Sequence, residues 1–136
     1  MPSRRSFFGL AAGAVVPLVA PRAAWAMLVS PAGPHPDPRP GIDGSRVLRR
    51  EQLGDNADVI GIFDMIRAIP QIADGIRCQC ECRQLEEYRS LLTCFEGVGM
   101  AQHCLVCQDQ AKLAFTMFRR GRSLRDIRQA IDREFG

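Results

Sequence analysis

Six cysteines fall between residues 78 and 107 of a 136-residue chain, in three blocks. They read Cys78-Gln79-Cys80-Glu81-Cys82, then Cys94, then Cys104-Leu105-Val106-Cys107. In extended backbone, side chains at i, i+2 and i+4 point to one side, whereas on a helix only the outer two would share a face. The C-x-C-x-C run therefore predicts an irregular cradle between helices, with three sulfurs converging on a common point. Thiolates gathered in this way repel one another unless a cation or oxidation relieves them. A soft cation such as Cu(I) or Zn(II) does so well. Cys104 and Cys107 stand i, i+3 at the start of the strongest helical pattern in the chain, so both are expected to face inward. The positive end of a helix dipole stabilises thiolate there. Redox pairs and metal-binding pairs both use this C-x-x-C arrangement. Cys94 closes the preceding apolar segment and approaches the same centre if that segment packs on the next.

Three outcomes compete for these thiols. The first is a soft-metal site with Cys78, Cys80, Cys82, Cys94, Cys104 and Cys107 as the candidate ligands. The second is three disulfides stapling a small domain in an oxidising compartment; six cysteines permit fifteen pairings. The third is an iron–sulfur cluster on four of the thiolates, although the spacing does not follow the ferredoxin runs. Two histidines are present, His35 and His103. The first reads as solvated in a Pro-rich stretch, and the second as an exposed residue, a helix cap or a ligand beside Cys104. Met65, Met100 and Met117 read as gap-filling core rather than as soft ligands.

The elements that must position the sulfurs are helical. Val59, Ile62, Phe63, Ile66 and Ile69 keep a helical period, with Asp55 or Asn56 available as N-cap. Pro70 disfavours helical geometry at Ile69 and can open a new short turn carrying Ile72 and Ile76. Leu85, Tyr88, Leu92 and Phe95 form a stripe that predicts a helix over 84–95. A long helix is predicted over about 103–120, with Cys104, Cys107, Ala111, Ala114, Phe115 and Phe118 on its apolar stripe and Gly121 as its stop. A final helix begins at Ser123 with Asp126 in capping-box position; Leu124, Ile127, Ile131 and Phe135 are its apolar face. No run alternates at period two for long. The expected fold is all-α, a bundle of about four helices with the cysteine cluster between them.

Ahead of this body, Ser3-Arg4-Arg5-Ser6-Phe7-Phe8 resembles the twin-arginine export signal. The apolar run from Phe7 to Ala20 is too short and interrupted for a spanning helix, and Ala24-Trp25-Ala26 is an A-x-A cleavage site that would leave Met27 first. Residues 1–26 are thus expected to be a signal peptide. Residues 27–46, rich in proline, are expected to form a flexible tether, and 47–136 the helical six-cysteine domain. The destination is then beyond the bacterial cytoplasmic membrane, with the twin-arginine translocation machinery as a partner. The chain carries 18 basic and 15 acidic residues. Arg4, Arg5 and Arg22 lie in the leader, which has no acid, so the remainder is neutral and has little long-range pull on nucleic acid.

The blocks resemble the family of exported bacterial proteins named for its P-C-Y-C-G-C motif. The likeness covers about residues 58–135 and includes all six cysteines, Ser90-Leu91-Leu92-Thr93-Cys94-Phe95, Gly121 and Ile127-Arg128-Gln129-Ala130-Ile131-Asp132. Arg77, Gln79 and Glu81 replace the motif Pro, Tyr and Gly, and no Gly-His pair follows the third cysteine. The resemblance implies a six-thiol site and no particular ligand. Hydrolytic signatures are missing: neither Gly-x-Ser-x-Gly, His-Glu-x-x-His nor a phosphate loop occurs. The reading is a soluble exported soft-metal carrier, store or scavenger, for Cu(I) ahead of Zn(II), exchanging metal with a donor or acceptor protein. The alternatives are a disulfide-stapled interaction domain and a thiol–disulfide redox protein using Cys104 and Cys107.

Overall fold

The computed structural model describes residues 33–136; the expected signal peptide and the first part of the expected tether, residues 1–32, lie outside them. Five α-helices follow in order: α1 (Arg50–Leu53), α2 (Ala57–Ala68), α3 (Pro70–Asp74), α4 (Leu105–Arg119) and α5 (Leu124–Phe135). Among the described residues there is no strand beyond an isolated bridge between Val47 and Glu96. The all-α expectation holds for this part of the chain. No helix among the described residues is long and apolar enough to cross a membrane.

Local chemistry sets most helix boundaries. Asn56 Oδ1 accepts from the Val59 amide at 3.4 Å and opens α2. Asn56→Ala is expected to lower stability by about 1 kcal/mol, the usual worth of such a cap; thermal unfolding monitored at 222 nm checks it. Pro70, which has no amide proton to lose, opens α3 at its first position. Ser123 and Asp126 form the reciprocal capping box expected for α5. Gly121 takes φ 74° directly after α4, a left-handed conformation that suits glycine at this place.

Long α4 is the spine. It packs against α2 on one side and α5 on the other, with Ala111 and Ala114 fully buried between them. Phe63 of α2 meets Phe95 edge to face, with ring centroids 4.7 Å apart. Met100 and Met117 lie against this core. Phe118, expected on the buried stripe, is exposed near the end of α4.

Two expectations are corrected. No α-helix spans 84–95. That stretch contains only 3₁₀ turns at Glu81–Gln84 and Leu92–Phe95 joined by irregular chain. Its polar groups are committed elsewhere: the Leu91 amide donates to Ile76 O at 2.7 Å, the Ser90 hydroxyl to Asp74 at 3.0 Å, and Thr93 Oγ1 back to Ser90 O at 2.7 Å. Tyr88, Leu91, Leu92 and Phe95 are nevertheless buried, so the apolar pattern was a true core signal with the wrong period assigned. The second correction concerns the tether. Residues 33–46 are not a free linker, because hydrogen bonds hold them on α3 and α5. Arg39 donates to Asp74 through its backbone amide at 2.8 Å and through its side chain at 2.9 and 3.1 Å. Arg128 of α5 reaches Pro36 O and Arg89 reaches Asp37 O. A proline-rich stretch has few amides of its own to satisfy, so its carbonyls are free to take arginine donors.

Candidate metal centre

Beyond Gly75 the chain leaves α3 and runs without helix or strand through Arg77, Cys78 and Gln79. The sulfurs of Cys78 and Cys80 come together, while the Gln79 side chain goes to other partners. Gln79 is pinned on its side: its amide donates to Gln110 Oε1 of α4 at 3.2 Å, and its Nε2 donates to Asp132 Oδ1 of α5 at 2.9 Å. Gln110 is fully buried, and its own amide nitrogen has no partner among the described residues. Two helices thereby hold the C-Q-C backbone so that its sulfurs face α4 at Cys107, two turns in front of Ala114.

The three sulfurs form a tight triangle. Cys78 Sγ lies 3.4 Å from Cys80 Sγ and 3.2 Å from Cys107 Sγ, and Cys107 Sγ lies 3.6 Å from Cys80 Sγ. Cys78 and Cys107 have no exposed surface and Cys80 only 8%. All six cysteines are free, and these separations are non-bonded, far above the roughly 2.05 Å of a disulfide. A point equidistant from the three sulfurs is about 2 Å from each, close to the roughly 2.3 Å of a zinc–thiolate bond. Widening the edges of the triangle to about 4 Å, or displacing an ion by about 1 Å from its plane, meets that distance.

Hydrogen bonds in the triangle converge on Cys80. The thiols of Cys107 and Cys78 donate to Cys80 and hold its thiol well below the ordinary range. Cys107 is pushed up, first by Cys78, then by Cys80. Cys94 stands beside them in the Leu92–Phe95 turn, fully buried, its S–H directed to Ser90 O at 3.7 Å. The Cys107 contact lowers its thiol, but Cys78, Cys80 and burial outweigh that and leave it raised. A buried set of thiols that can carry little negative charge by itself is suited to a cation that replaces the protons.

The expected six-sulfur centre therefore resolves into parts. Cys78, Cys80 and Cys107 meet, with Cys94 next to them. Cys82 does not join the triangle, because the chain turns into a 3₁₀ helix at Glu81 and the i, i+4 relation of extended backbone ends there. It is half-buried, and burial followed by the neighbouring Cys80 raises its thiol to about 11. Cys104 is also half-buried. It is the N-cap of α4 rather than part of its inward face, and its sulfur accepts from the Cys107 amide at 3.5 Å.

The histidines fall outside the cluster. His103 is exposed at the end of the Met100–His103 turn. His35, read as solvated, is instead held beside the site: its Nδ1 accepts from the Arg77 amide at 2.9 Å and its Nε2 lies 3.0 Å from Asp132 Oδ1. An amide can only donate, so the ring carries its proton on Nε2. Burial lowers its pKa and Asp132 opposes that.

Residues missed from sequence are the polar supports: Asp74, Gln79, Gln110 and Asp132. Asp74 carried a signal, being a lone acid among Ile72, Ala73 and Ile76. No protein-family model, curated protein or solved structure matches this chain, so its chemistry is argued from the arrangement of these sulfurs.

Proposed function

We propose that this protein binds a soft, thiophilic cation, Cu(I) ahead of Zn(II), through Cys78, Cys80 and Cys107, with Cys94 as a nearby fourth sulfur. The observation that carries the reading is the buried triangle, built from two stretches of chain 27 residues or more apart in sequence. Burial in apolar surroundings keeps water and oxidant from the sulfurs, which suits a carrier, store or scavenger rather than a catalyst. Thiolates select Cu(I) and Zn over hard cations. With the twin-arginine-like leader and the likeness to the P-C-Y-C-G-C family, we place this activity outside the cytoplasmic membrane, with metal passed to or from another protein.

A free-thiol count on protein recovered through its own export route tests this reading against a disulfide-stapled domain and against an iron–sulfur protein. Thiols masked until a Cu(I) or Zn(II) chelator is added, with the metal recovered in the chelate, are the expected result. Thiols that appear only after reductant, with no metal by elemental analysis, would overturn it.

A further inference from the structure

A soft metal held by thiolates moves between proteins by ligand exchange, in which an incoming sulfur must touch the metal before the outgoing one leaves. Three of the four inner sulfurs, Cys78, Cys94 and Cys107, have no exposed surface. A donor cannot reach them. The two remaining cysteines are placed differently. Cys82 sits two residues past Cys80, in the turn that leaves the triangle. Cys104 sits one helical turn before Cys107, and its sulfur is already in hydrogen-bond contact with the Cys107 amide. Both are only half-buried, and both pack against the buried core that contains the inner cysteines. Each is thus a neighbour in sequence and space of one member of the triangle, Cys82 of Cys80 and Cys104 of Cys107. An exposed leucine adjoins each of them: Leu105, 72% exposed, follows Cys104, and Leu85, 51% exposed, donates its amide to Cys82 O.

We infer that Cys82 and Cys104 are the exchange thiols of the site, which take a thiolate-bound soft cation from a donor and pass it inward to Cys80 and Cys107. This rests on the metal-binding reading above and divides the six cysteines into a resting set and a transfer set. Each step conserves atoms and charge. A sulfur–metal bond to the incoming cysteine forms as one to the outgoing thiolate breaks, the proton of the incoming thiol ends on the departing sulfur, and the metal keeps its oxidation state. Such an exchange needs a donor whose own metal is held by thiolate. A small thiol and a C-x-x-C carrier offer that same chemistry.

The full reduced protein and its Cys82→Ser/Cys104→Ser variant are compared in two measurements. Serine is itself a preferred N-cap, so the start of α4 is retained in the variant. The first measurement is equilibrium Cu(I) binding against a chromophoric chelator. The second is the stopped-flow rate of Cu(I) uptake from the Cu(I)–glutathione complex and from a Cu(I)-loaded C-x-x-C peptide. Equilibrium affinity within a few-fold of the parent, with uptake about tenfold slower or more from at least one donor, is expected, since sulfur exchange follows access. The slowed arm names the donor source. Unchanged uptake from both donors would overturn the proposal, as would a loss of equilibrium affinity as large as that of Cys107→Ser. Failure of Cu(I) to bind the parent protein at all would sink the metal reading itself, a separate result.

Discussion

Cys80→Ser and Cys107→Ser are each expected to weaken soft-metal binding by about 100-fold or more, beyond the usual effect of a residue that only supports a ligand. A triangle of sulfurs reduced to two leaves the cation short of a thiolate, and a hydroxyl is a poor replacement for a soft ion. Cys94→Ser should lose less, because its sulfur stands beside the triangle rather than in it. The helices should survive: serine is close to cysteine in size, neither site caps an α-helix, and Cys80, at the N-cap of the Glu81–Gln84 turn, makes no side-chain capping bond there. Competition against a chromophoric chelator measures the affinity, and far-ultraviolet circular dichroism measures the helix content. Wild-type affinity in both Cys80→Ser and Cys107→Ser would remove the triangle from the chemistry.

The second large effect is expected at Asp74. Its carboxylate is fully buried and takes bonds from Arg39, Arg89 and Ser90 at 2.8–3.1 Å. Burial alone would raise its pKa. The Arg39 side chain and amide, followed by Ser90 and Arg89, outweigh burial and bring it to about 2, from 3.8. A carboxyl depressed in the folded state stabilises the protein above its unfolded pKa, and that contribution is lost as pH falls toward the folded value. The slice at stake is about 2 kcal/mol, most of it lost between pH 5 and pH 2. Asp74→Asn should destabilise the protein by about 2–3 kcal/mol at pH 7, less than a fully desolvated pair because both arginines reach solvent. Denaturant unfolding at pH 7 and at pH 3 checks both parts. The variant should show a smaller stability difference between the two pH values than the parent.

How far the site was legible follows from the reach of each signal. The alternation of Cys78 and Cys80 and the inward place of Cys107 follow from local geometry, and the structure keeps them. Cys82 was misplaced because alternation holds only while the chain stays extended, and nothing in Glu81 announces the turn. The period of Leu85, Tyr88, Leu92 and Phe95 suits a helix, yet three of these four side chains are buried without one. What cancels the helix is the long-range bond from Leu91 to Ile76 and the pull of Asp74 on Ser90 and Arg89, partners 15 or 16 residues away that no local window contains. The docking of residues 33–46 was hidden for the same reason. Prolines predict an extended chain correctly, but whether arginines elsewhere will grip its carbonyls is decided by the fold.

That gripped stretch bears on where the folded unit can be cut. A polypeptide trimmed to start at Val47 would keep every helix and every cysteine. It would also strip the Asp74 carboxylate of its Arg39 donors and leave the Arg77 amide, next to Cys78, without the imidazole that receives it. A piece that keeps these bonds therefore reaches back to His35 or before, and the first described residues brace the backbone that carries Cys78 as well as the carboxylate of α3.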